Sequence, residues 1–142
     1  MAIDREPTKI AYALKMARKY YSNDTYDHAM RVMAYVAENE VIPDEYRDDC
    51  IVLAIMHDLL EDTEYTGSGL QDNMYRALDL ISKPKEQSYI EYIKNIKHYA
   101  CTSWGMCAYW VKLADMKDHL SQKETLTEKL KDKYLEALPY LL

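Results

Sequence analysis

The chain has 142 residues, 49% of them hydrophobic and 30% charged, the balance of a single globular domain long enough to bury one core. Its net charge of −6 argues against a nucleic-acid polymer as partner, because a phosphate backbone is held by concentrated Lys and Arg. No apolar run approaches the roughly 20 residues that span a bilayer, Met1 to Pro7 is short and charged, unlike a secretory signal, and Cys50, Cys101 and Cys107 lack zinc-ribbon spacing. A cytoplasmic protein with reduced thiols and no membrane association is expected.

Few glycines and prolines and no long Val/Ile/Thr alternation predict an all-α bundle of about seven helices, with no linker dividing residues 1–142. The first helix is expected from Pro7-Thr8, with Ile10, Leu14, Ala17 and Tyr21 on one side, and Ser22-Asn23-Asp24 ends it. Asp24 or Thr25 is expected to cap the second, whose stripe of Ala29, Val32, Met33 and Val36 carries His28 inward. The third starts at Pro43-Asp44 and runs through Ile51 to Thr63. A fourth, from about Leu70 to Ile81, stops before Pro84. A fifth covers roughly Lys85 to His98. The sixth is capped by Thr102 or Ser103 and its stripe runs Trp104, Ala108, Val111, Asp115. The last, Glu128 to Leu142, turns Leu130, Tyr134, Leu135 and Leu138 inward, and Pro139 makes its final turn irregular.

Ile51 to Thr63 reads I-V-L-A-I-M-H-D-L-L-E-D-T. On a continuous helix His57 stacks with Glu61, and Asp58 with Asp62, while Cys50, Leu53 and Ala54 set His57 on the buried stripe. A buried histidine beside an aspartate is costly unless the pair is hydrogen-bonded or shares a cation. His28, His57, Asp58 and Asp115 all stand where apolar residues belong. Two imidazoles and two carboxylates form a mixed N/O set suited to manganese, magnesium, iron or zinc. An ion with an open position lowers the pKa of bound water and polarises a phosphoryl oxygen, and Glu61 and Asp62 can hold that water or take its proton. Lys112 reads as a snorkelling edge residue.

The order His28, His57-Asp58, Asp115 resembles the HD-domain metal-dependent phosphohydrolases. M-H-D-L-L-E-D-T is similar to the H-D-x-x-E-D-T segment of the RelA/SpoT-type alarmone hydrolases, and Val111-Lys112-Leu113-Ala114-Asp115 to their V-K-L-A-D. The resemblance implies an all-helical HD bundle in which His28, His57, Asp58 and Asp115 hold a divalent metal, usually manganese, with Glu61 and Asp62 assisting attack on a pyrophosphate. It implies a (p)ppGpp-like small nucleotide as substrate. The alternatives are a nucleotidase or nucleotide pyrophosphatase of the same superfamily, and a non-catalytic metal- and nucleotide-binding sensor. Two departures bear on the substrate. The family's basic loop before the first metal histidine is replaced by the short acidic Tyr20 to Asp27, leaving Arg18 and Lys19 as the nearest phosphate candidates, with Lys83 and Lys85 behind them. His119 fills the position of the family's asparagine near the ribose.

Overall fold

The computed structural model describes residues 5–142, with side chains from residue 9 onward. The described residues form α1 (Arg5–Tyr20), α2 (Asn23–Glu38), α3 (Asp44–Met56), α4 (Leu59–Asp62), α5 (Asp72–Ile81), α6 (Tyr89–Tyr99), α7 (Ser103–Ser121) and α8 (Glu128–Leu141), with no strand among them. Seven full helices and the four-residue α4 therefore make an all-α bundle, as the sequence predicts. None is long and apolar enough to cross a membrane.

Two helices organise the rest. In α3, Val52 to Met56 are buried without interruption, so the second half of the helix is covered on all sides, while Asp44, Glu45 and Asp48 in its first turns face solvent. The 19-residue α7 packs against α2, α3, α5, α6 and α8. Its start is drawn onto the end of α6: a Cβ at Gly105 would collide with the Tyr99 carbonyl, so only glycine permits that approach. α1 and α2 cover α3, and α8 closes the bundle against α6.

Several boundaries differ from the sequence expectation, each for a local reason. Ser22, not Asp24 or Thr25, caps α2, its hydroxyl accepting from the Thr25 amide. Leu70 is used in a turn, its amide bonding the Gly67 carbonyl, so α5 starts only at Asp72. After Pro84 the chain makes a turn closed by the Gln87 amide, and the helix expected from Lys85 waits for the Ser88 cap. Thr102, one of the two residues expected, caps α7, and Thr127 caps α8. α8 continues through Pro139 to Leu141 instead of becoming irregular. It buries Tyr134, Ala137 and Leu141 at i, i+3 and i+7, which rotates Leu135 outward, 47% exposed, against the expectation.

Candidate metal centre

The helix carrying His57 and Asp58 does not run through them. α3 ends at Met56, Asp58 adopts φ −96° and ψ 0°, and α4 begins at Leu59. The Tyr21 hydroxyl bridges this break, donating to the Ile55 carbonyl at 2.8 Å and accepting from the Asp58 amide at 3.2 Å. The continuous helix expected from Ile51 to Thr63 is thus interrupted by a contact from the end of α1. Asp58 and Asp62 nevertheless stay one turn apart, the Asp62 amide bonding the Asp58 carbonyl at 2.9 Å.

Each imidazole is oriented by a partner that can only accept. His57 donates Nδ1–H to the Ala54 carbonyl at 2.7 Å, and His28 on α2 donates Nδ1–H to the Asp118 carboxylate at 2.6 Å. Both Nε2 lone pairs therefore face inward. There His28 Nε2 lies 2.8 Å and His57 Nε2 3.1 Å from Asp115 Oδ1, and they lie 3.7 and 3.3 Å from Asp58 Oδ2. One donor atom from each of His28, His57, Asp58 and Asp115 falls within 4.8 Å of all the others. Donors about 2.1 Å from one ion are about 3.0 Å apart when adjacent and about 4.2 Å when opposite, so the group can hold a metal ion. The chemistry of the set agrees: neutral imidazole nitrogens and carboxylate oxygens pointing at one another are all acceptors, and a cation satisfies them together.

Protonation of the imidazoles is the other way to satisfy these acceptors. Burial alone would lower the pKa of His57, but Asp58 and Asp115 outweigh it and raise it to about 9. His28 is raised likewise, with Asp115 overcoming burial. Burial would raise Asp115, yet Lys112 and three histidines hold it well below the carboxylate range. Lys112 is not the edge residue expected. It is buried, and its ammonium donates to Asp115 Oδ2 at 2.8 Å, so Asp115 is left with Oδ1 for the centre. Lys112 also lies 5.3 and 5.0 Å from the Tyr89 and Tyr92 ring centroids. Asp118, which sequence reasoning passed over, is fully buried and accepts from both His28 and Arg31 Nε, the latter at 2.8 Å. Its signal was available: Asp115 and Asp118 stand three apart on one helix, and a second acid there needs partners.

A cleft of about 630 Å³ opens over this group, lined also by Glu61, Asp62 and His119. Glu61 accepts from the Lys83 amide at 2.8 Å. Partial burial, then Asp58 and Glu61, raise Asp62 to about 6. His119 turns Nε2 to within 3.3 Å of Asp115 Oδ1 and stacks on Tyr134, the planes 9° apart. Arg18 and Lys19 are not brought to the cleft. Ala13 and Ala17 face the core, which leaves both cations exposed on the last turn of α1, Lys19 lying 5.3 Å from the Tyr20 ring centroid. Lys85 is also outside the lining. Among the described residues, the cations that do line it are Arg31, Lys83, Lys112 and Lys133. No family model matches this chain, and no curated protein matches it either.

Proposed function

We propose that this chain is a metal-dependent phosphohydrolase of the HD type acting on a small nucleotide, with a (p)ppGpp-like guanosine 3′-pyrophosphate as the leading substrate. The observation that carries the reading is the convergence of the His28, His57, Asp58 and Asp115 donors with both imidazoles locked Nε2-inward. A divalent ion held by those four, manganese above magnesium, iron or zinc, would supply an activated water and polarise a phosphoryl oxygen. Asp62, deprotonated above about pH 6, and Glu61 stand beside the group to orient a water and take its proton. Two of the four cleft cations are already engaged: Lys83 Nζ donates to the Pro84 and Gln87 carbonyls and Lys112 to Asp115. Lys133 and the Arg31 guanidinium, which commits Nε to Asp118, remain to meet substrate phosphates.

The second reading is a nucleotidase or nucleotide pyrophosphatase of the same superfamily with a wider substrate range. It is favoured by the exposed position of Arg18 and Lys19, which leaves the cleft without the basic loop of the alarmone hydrolases. Turnover of guanosine tetraphosphate, GDP, GTP and 5′-monophosphates with manganese decides between them. Release of pyrophosphate from the 3′ position is expected, with Glu61→Gln and Asp62→Asn keeping metal while the rate falls by about 10²–10⁴-fold. Activity confined to 5′-phosphates would select the second reading. Nucleotide binding with no turnover on any member would refute both and leave a sensor.

A further inference from the structure

At the far ends of α3 and α7 from the metal centre lies a second cavity of about 450 Å³, bounded by α1, α3, α5 and the start of α7. Trp104 and Asp115 are eleven residues apart on α7, about 17 Å along its axis, so the two spaces are separate. We propose that this cavity is a binding site for a planar fused ring carrying N–H donors, of the size of an amino-substituted bicyclic heteroaromatic.

Three aromatic side chains, Tyr12, Tyr46 and Trp104, wall it, and two of them are fixed before any ligand arrives. The Tyr12 hydroxyl is paired with that of Tyr65 at 2.9 Å, and a Cβ at Gly69 would stand 2.6 Å from it, so the glycine lets the loop close over the ring. Trp104 is backed by Tyr99, with centroids 5.3 Å apart. Preformed aromatic faces are what a flat ring stacks on at little entropic cost, and the volume is that of a small-molecule site and not of a helix groove. The polar lining sets the rest of the chemistry. Asp49 is half-buried, and among the described residues its carboxylate has neither hydrogen-bond nor ion-pair partner. Glu45 stands one turn before it, and among the described residues Lys9 is the single cation in the lining. Two carboxylates against one ammonium disfavour a phosphorylated ligand and favour adjacent N–H donors, which a carboxylate accepts in pairs.

The probe pair is 2-aminobenzimidazole, whose ring nitrogen and amino group present adjacent donors, and 2-methylbenzimidazole, of the same shape without the amino group. Binding is read from the indole N–H resonance of Trp104 in the full chain, with Trp110→Phe distinguishing the two tryptophans, in the presence of a chelator so that the metal centre plays no part. A saturable shift is expected with the amino ring and at least tenfold weaker binding of the methyl ring. Asp49→Asn should reduce that preference to below threefold, and Asn73→Trp, an exposed position at the mouth, should abolish binding with the melting temperature unchanged. No saturable shift, or equal affinities for the two rings in the unaltered protein, would overturn the proposal. So would concentration-dependent self-association that Asn73→Trp removes in the absence of ring binding, since the occupant would then be a second copy of the chain.

Discussion

Replacing Asp118 by asparagine keeps the shape of the side chain and removes one acceptor. The carboxylate takes Nδ1–H of His28 at 2.6 Å on one oxygen and Nε–H of Arg31 at 2.8 Å on the other, with no exposure to water. An amide can accept on only one side. If its oxygen serves Arg31, its NH2 faces His28, which must then accept at Nδ1 and carry its proton on Nε2, where the metal should bind. If its oxygen serves His28, two donors meet at Arg31 in a buried place. Either arrangement costs metal binding or stability without touching an ion. Loss of an orienting partner of this kind weakens affinity by about 10–100-fold, or about 1.4–2.7 kcal/mol. Calorimetric titration of manganese into chelator-stripped protein at pH 7.5 measures it, with Asp58→Ala as the variant expected to lose tight binding altogether. An Asp118→Asn dissociation constant within twofold of the parent would show that His28 does not need Asp118 to present Nε2, and would remove the argument for a built metal site on α2.

Lys112→Met should cost up to about 3–5 kcal/mol in chelator, because it leaves buried Asp115 only the histidines as positive partners; manganese restores a positive charge beside that carboxylate, so the metal-induced rise in melting temperature should be larger than in the parent, and equal rises would contradict the pairing. In metal-free protein the raised pKa of His57, about 9 against 6.5 unfolded, means that protonation stabilises the fold fully below about pH 6.5. That contribution is lost as pH rises through 9, a fall of up to about 3 kcal/mol, which urea titrations from pH 6 to 10 would reveal and a flat profile would refute. Lys133→Met should raise the Michaelis constant for the nucleotide by about 10–100-fold with little change in turnover number, the signature of a phosphate contact made equally in ground and transition states. Arg18→Ala should leave both constants unchanged, and an effect at Arg18 with none at Lys133 would reverse the assignment of the phosphate-binding side.

His28, His57 and Asp115 are legible in the sequence because each occupies an inward position on a helix whose neighbours are apolar, and a polar group there must meet a partner or an ion. The break after Met56 is not legible in the same way. Ile51 to Asp62 has nothing local that stops a helix, neither Gly nor Pro, and the interruption is held by the Tyr21 hydroxyl, 37 residues before Asp58 in the chain. A long-range contact of that kind overrides propensity without leaving a mark in the segment it changes. Lys112 was hidden for the opposite reason. Periodicity sorts side chains into an inner and an outer face, and a helix surrounded by five others has no outer face over its middle turns. On such a helix a lysine cannot be assigned to solvent by its offset from the apolar stripe. Its charge has to be met inside, and the acid three residues on meets it. Once Lys112 fixes one oxygen of Asp115 and Asp118 fixes one nitrogen of His28, the remaining lone pairs have a single direction left, toward the point where His57 and Asp58 also aim. The orientation of the site therefore depends on two charged residues that would not themselves touch the ion, and it is at those two positions that conservative substitutions should be least tolerated.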